Sequence, residues 1–230
     1  MKTIVELKKV SKEFGNEENK QIAVNNVDLT INEGEFVVIL GQSGAGKSTV
    51  LNMIGGLDTP TSGNVIVNGS DIANLSDKDI TDYRAKKVGF IFQFYNLIPT
   101  LTAYENVSLV KSVVDDSDDP DSLLDLVGLK DHKNKFPSQL SGGEQQRVSI
   151  ARALCKKPSI ILGDEPTGAL DSETGWAVIG LLQKLCRENK KTVIIVTHNS
   201  DYAEYANKVI TMRDGKITDC VQNDNVKILD

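Results

Sequence analysis

Phe36-Val37-Val38-Ile39-Leu40-Gly41-Gln42-Ser43-Gly44-Ala45-Gly46-Lys47-Ser48 is the stretch that decides the fold. Its first five residues are a mostly β-branched apolar run, which reads as a strand buried on both faces, as in a parallel sheet. The last eight match GxxxxGK[ST], placed after that strand and before a helical stretch from Ser48 to Leu57. Glycines at 41, 44 and 46 let backbone N–H groups turn inward around phosphate oxygens, and the following helix adds the partial positive charge of its N-terminus. In such a loop Lys47 reaches the β- and γ-phosphates and the Ser48 hydroxyl ligates Mg²⁺. Gln42, Ser43, Ala45 and Thr49 complete the candidate phosphate-binding segment. A merely structural tight turn has no reason to place Lys and then Ser after Gly46.

Outward from this segment the same strand pattern recurs at Ser159 to Leu162 and at Thr192 to Thr197. Helical stretches lie between: Glu144 to Cys155, and Ser172 to Glu188, where Val178, Leu181, Leu182 and Leu185 recur at i, i+3, i+4 and i+7. Strands alternating with helices predict a doubly wound α/β sheet. Two regions depart from it. The first ~35 residues and the stretch Gly63 to Gly69 read as short strands with turns, a small antiparallel sheet against the core. From Phe94 to Ser138, helical segments are broken by Pro99, Pro120 and Pro137 and carry the acidic run Asp115-Asp116-Ser117-Asp118-Asp119. Adjacent carboxylates point in different directions without an imposed turn, so the run is expected to be a solvated loop rather than a metal site. With no internal repeat, residues 1–230 read as one domain with a helical lobe at about 94–157.

A phosphate cradle needs a second anchor for its metal. Ile160-Ile161-Leu162-Gly163-Asp164-Glu165 supplies a buried strand ending in two carboxylates. Asp164 fits an Mg²⁺ ligand, direct or through water, and Glu165 can face an attacking water as base or polarising group. A helix-capping acid pair is the alternative. One strand further, His198 follows Thr197, where it can hydrogen-bond a γ-phosphate or hold the water, or be a packed surface histidine.

Composition narrows the classes. Hydrophobic residues at 40% of 230 suffice for a buried core, which excludes general disorder. The 26 Lys+Arg against 32 Asp+Glu leave a net charge of −6, which argues against nucleic acid as a partner. Cys155, Cys186 and Cys220 show neither CxxC nor CxH spacing, so no disulfide framework or zinc knuckle is expected and a reducing cytosol fits. Charge enters the N-terminus too early for a signal peptide, and apolar runs such as Phe36 to Leu40 are too short to span a bilayer. Work at a membrane would need a partner there.

Leu140-Ser141-Gly142-Gly143-Glu144-Gln145-Gln146-Arg147 is similar to the LSGGQ signature of ATP-binding-cassette (ABC) ATPases. Six elements stand in that family's order across nearly the whole chain: Phe14, the phosphate loop, Gln93 after Phe92, the signature, Asp164-Glu165 with Asp171, and His198. The resemblance implies an ABC-type P-loop NTPase core with an N-terminal antiparallel β-subdomain and an inserted α-helical subdomain, hydrolysing ATP with Mg²⁺. It implies that Phe14 stacks on adenine in place of the commoner Tyr, and that Gln93 touches Mg²⁺ or its water and reports the γ-phosphate to the helical lobe. Asp171 is implied at a dimer seam. Ser141, Gly142 and Gly143, with Glu144 behind them, would open a helix whose N-terminus is a second anion site. Two copies would then sandwich two ATP molecules head to tail.

The segments Gly89 to Val107 and Asp164 to Asp171 resemble most the branch that holds lipoprotein-release, macrolide-efflux and antimicrobial-peptide-resistance ATPases. That likeness implies a cytoplasmic subunit, peripheral to the membrane through a separate permease with a large extracytoplasmic domain and without insertion of its own. Export or release of antimicrobial peptide, lipoprotein or hydrophobic drug follows as the expected task. Between Val107 and Leu126 the helical lobe is shorter than in the efflux members. A nucleotide-gated switch acting on a membrane partner without transport is the alternative, and Glu165 and His198 weigh against it because a pure switch needs neither.

Overall fold

Phe36, Val37, Val38 and Ile39 are all fully buried, as a central strand of a parallel sheet requires. The computed structural model describes residues 2–16 and 19–229. Its elements run β1 (Thr3–Phe14), β2 (Gln21–Asn32), β3 (Phe36–Leu40), α1 (Lys47–Ile54), β4 (Ser62–Val67), β5 (Ser70–Asp71), α2 (Asp77–Lys86) and β6 (Val88–Phe92). They continue through α3 (Ala103–Ser108), α4 (Pro120–Leu126), α5 (Gly142–Leu154), β7 (Ile160–Asp164), α6 (Ser172–Asn189), β8 (Thr192–Thr197), β9 (Lys208–Arg213) and β10 (Lys216–Gln222).

Two sheets result. β2-β1-β4-β5 is antiparallel, and β10-β9-β3-β8-β7-β6 is parallel except for the β9–β10 hairpin. Alternation along β3 distributes its side chains between two cores. Val37 and Ile39 meet α1 and the antiparallel sheet through Val5, Leu29, Val50 and Ile54. Phe36 and Val38 face the helices through Val107 on α3, Leu124 on α4, Val148 on α5 and Leu182 on α6. The helices between 94 and 157 therefore share a core with the main sheet instead of forming one of their own.

The sequence expectations and the structure differ at several places. α1 stops at Ile54, short of Leu57, because Gly55 caps it and Gly56 takes φ +67. α2 escapes the periodicity reading because Tyr83 is its one buried residue, anchored by a hydroxyl that donates to the Ile54 carbonyl at 2.7 Å. The hairpin β9–β10 escapes it because β10 is exposed along nearly its whole length. In the acidic run, Asp119 caps α4 at the Ser122 N–H (3.1 Å), while Asp116 and Asp118 both pair with Lys157. Among the described residues no group of three His, Cys, Asp or Glu side chains is placed to hold a metal, and no helix is long and apolar enough to cross a membrane.

Candidate nucleotide site

The α1 N-terminus is built to receive something. Gly46 caps it with φ +94 and offers no side chain, and no acidic residue stands in its first turn. Each of the other five α-helices among the described residues has both a side-chain cap and a first-turn carboxylate. The first N–H groups of α1 and its dipole thus lack the internal partner that its fellows have. Gly46 is also fixed by close approach, since a Cβ there would stand 2.3 Å from the Ala23 carbonyl of β2. Lys47 is nearly buried and donates to the carbonyls of Gly41 (2.7 Å) and Gln42 (3.0 Å), bracing the loop.

Strand register assembles the chemistry. Phe92 of β6 pairs with Asp164 of β7, which pairs with Val196 of β8. Gln93 and Glu165, which follow β6 and β7, and His198, which follows Thr197 at the end of β8, therefore emerge together at the carboxyl edge of the sheet, where open α/β folds bind ligands. Ser48 Oγ donates to Asp164 Oδ1 at 2.8 Å. Glu165 holds φ +47, a sparsely populated conformation for a non-glycine residue. His198 Nδ1 stands 3.2 and 3.1 Å from its two carboxylate oxygens.

Ser48, Gln93, Glu165 and His198 line one cavity of about 620 Å³, and Asp164 is tied to it through Ser48. Ser43 through Thr49 form its floor, Gln93, Glu165 and His198 one wall, and Phe14 with Gln21, Ile22 and Ala23 the other. Phe14, 44% exposed at the end of β1, is not a core aromatic. Lys12 stands 5.0 Å from its ring centroid. The Gln93 amide lies against Gly168, with Nε2 3.0 Å from where a Cβ would stand. Gly41 and Gln42 face a neighbouring hollow with Thr211, Met212 and Arg213. Sequence reading missed Gln21, Ile22 and Ala23, which carry no motif and reach the cavity only because β1 and β2 pair antiparallel. The cavity fits a nucleotide phosphate chain, with uncapped N–H groups and a lysine on its floor. The neighbouring Ser48 and Asp164 oxygens are the hard donors that Mg²⁺ takes, with phosphate and water completing its shell.

The signature segment stands elsewhere, outside this cavity. Ser141 Oγ accepts from the Glu144 N–H (3.3 Å) and Glu144 Oε2 from the Ser141 N–H (2.7 Å), a reciprocal capping box. The Ser141 N–H holds the Glu144 carboxyl below the usual carboxylate range, so it is an anion at neutral pH. His132 Nδ1 lies 2.7 Å from its other oxygen. The chain's own carboxylate thus takes one of the donors at this helix start, where a second anion site is expected. Asp171 caps α6 at the Thr174 N–H (3.0 Å), and Thr174 packs against Gly143 so closely that a Cβ there would lie 2.1 Å from its methyl.

A family profile described as ABC transporter matches residues 24–168. An uncharacterized ABC transporter ATP-binding protein of Methanocaldococcus jannaschii is 48% identical over 224 residues, 95% of this chain and 99% of that protein. The macrolide export ATP-binding/permease protein MacB of Mannheimia succiniciproducens is 45% identical over 229 residues, 97% of this chain and 36% of that longer protein. Among solved structures, a dimeric post-hydrolysis state of an M. jannaschii ATP-binding cassette bound to ADP and Pi has a TM-score of 0.86 at 44% identity, covering 95% of this chain and 98% of that one.

Proposed function

This chain belongs to the ABC transporter family, as an ATP-binding, ATP-hydrolysing component, and from that premise we propose that two copies close head to tail around two MgATP to drive a membrane permease. The permease, with a large extracytoplasmic domain, would export or release an antimicrobial peptide, a lipoprotein or a hydrophobic drug. Such a subunit would sit peripherally on the cytoplasmic face through that partner. The observation that carries the reading is the separation of two half-sites. Phosphate loop, Glu165 and His198 share a cavity that the signature segment does not line, so a second copy is the natural source of Ser141, Gly142 and Gly143. The dimeric relative bound to ADP and Pi supports this arrangement.

In this reading Phe14 stacks on adenine through the ring face away from Lys12. The N–H groups of the loop from Gly41 to Gly46 and the α1 N-terminus, with Thr49 in its first turn, bind phosphate oxygens. Lys47 exchanges its loop carbonyls for the β- and γ-phosphates. Ser48 and Asp164 would hold Mg²⁺, with Gln93 at it or at its water, and the ion when bound would neutralise charge on those phosphates. Glu165 aligns the attacking water and accepts its proton, and His198 steadies that carboxylate through Nδ1 while its other nitrogen faces the γ-phosphate. Asp171 lies at the seam.

Exposed apolar side chains of the helical lobe support a permease as partner. Phe94 (71%), Val113 (65%) and Leu109 (46%) are exposed, and Val113 lines a groove with Phe90, Phe92, Arg152 and Lys156. Burial, with the Arg152 guanidinium alongside, pushes Lys156 down to about 8. The match to a macrolide export ATP-binding/permease protein points to the same kind of partner.

Ser141→Arg tests the dimer. It should leave ATP binding to the monomer intact and collapse turnover through steric and charge conflict at the seam. Persistence of wild-type hydrolysis, first order in protein, contradicts the composite site. Glu144 gives the opposite expectation. Its carboxylate repels an incoming γ-phosphate, so Glu144→Gln should tighten MgATP-driven dimerisation several-fold, by about 0.5–1 kcal/mol, as read from the dimer midpoint in sedimentation. An unchanged or weaker midpoint would show that Glu144 does not face the partner's nucleotide.

A further inference from the structure

Gln146 is a polar side chain near the site with no exposed surface, in the second turn of the helix that the signature opens. The β6–β7 ladder ends at the pair Phe92 and Asp164. Beyond it the two chains diverge, and main-chain carbonyls there need donors. The Gln146 amide donates to both: Nε2 lies 3.3 Å from the Phe92 carbonyl and 2.6 Å from the Pro166 carbonyl. Phe92 immediately precedes Gln93, and Pro166 immediately follows Glu165. One NH₂ group thus extends the sheet ladder sideways into α5 and spends both its hydrogens on the backbone flanking two site residues. Farther along α5, Arg152 donates to the carbonyls of Tyr95 (3.0 Å) and Asn96 (2.6 Å), gripping the segment after Gln93 as well.

Packing alone does not account for this choice of residue. Gln146 Oε1 is buried without a hydrogen-bond partner among the described residues, as is Ser149 Oγ one turn later. The hydrogen bonds that this amide makes are therefore those of its Nε2 alone, to the Phe92 and Pro166 carbonyls.

We infer that Gln146 is a positioning residue that locks the spacing between Gln93, Glu165 and the signature helix, so that seating the signature on a partner copy's nucleotide sets the alignment of Glu165. It touches no ligand itself. The inference rests on the proposed roles of Gln93 and Glu165.

Gln146→Met conserves volume and removes both donors. It should lower kcat for ATP about tenfold, within the range for residues that couple sites without touching ligand, and leave the Kd of monomer for ATP within about twofold, because the cradle is untouched. In the Glu165→Gln background it should also raise the MgATP concentration needed to form the dimer. A merely structural role would lower the melting temperature without changing kcat per folded molecule. Should the methionine variant not fold, Gln146→Asn keeps the amide one methylene short of the two carbonyls and should give the same split. Wild-type kcat in the folded variant, or equal losses in ATP binding and kcat, overturns the inference. Undiminished turnover in Glu165→Gln alone would instead overturn the reading beneath it.

Discussion

Glu165→Gln should lower ATP turnover by about 10²–10⁴-fold, roughly 3–5 kcal/mol of barrier, while ATP binding survives. The substitution is nearly isosteric, and the backbone at φ +47 can keep its place, since Gln has no β-branch to oppose it. What goes is the negative charge that orients the water as it attacks. An amide oxygen can still accept from His198 Nδ1, so the pair's geometry at 3.1–3.2 Å is largely retained. Ground-state affinity should hold or rise, because a carboxylate near a γ-phosphate repels it. Phosphate release under saturating MgATP checks the first expectation and equilibrium nucleotide titration the second. A variant that hydrolyses ATP within about threefold of wild type, under 1 kcal/mol, would assign Glu165 a structural role and leave His198 as the leading catalytic group.

Lys47→Ala should weaken MgATP binding by at least about 100-fold, roughly 2.7 kcal/mol, through loss of charge-assisted hydrogen bonds to the β- and γ-phosphates. A change within twofold, about 0.4 kcal/mol, contradicts the cradle. The structure adds an effect on the protein without nucleotide. Because Lys47 is nearly buried and braces Gly41 and Gln42, its removal leaves two loop carbonyls without their cationic donor. A stability loss of about 1–2 kcal/mol is therefore expected in denaturant melts, where a lysine facing only ligand would give none.

How much of this was legible in the sequence depends on how local each signal is. The phosphate loop is contiguous and obeys a strict order of residue types, so its strand, turn and helix follow from thirteen consecutive residues. β8, uniformly apolar and bounded by threonines, is equally plain, and the structure assigns it Thr192–Thr197 as the pattern predicts. α2 and β10 are not, because each buries too little to leave a periodic trace. The site divides in the same way. Asp164 and Glu165 are adjacent in sequence, but their meeting with Gln93 and His198 depends on the register of three parallel strands, which no single segment encodes. Gln21 to Ala23 and Gln146 were invisible for that reason: their roles exist only across chain segments far apart in sequence. The signature helix start shows the converse limit. Its Ser and Gly residues read as an anion site, yet Glu144, three residues on, turns back to take one of its donors.

Mass in solution tests the composite site most directly. Light scattering of Glu165→Gln on a sizing column should give twice the monomer mass with MgATP and the monomer mass with MgADP, and adding Ser141→Arg should abolish the doubling while ATP remains bound. A Glu165→Gln chain that binds MgATP with wild-type affinity yet stays monomeric at concentrations well above that Kd would contradict two copies closing around the nucleotide.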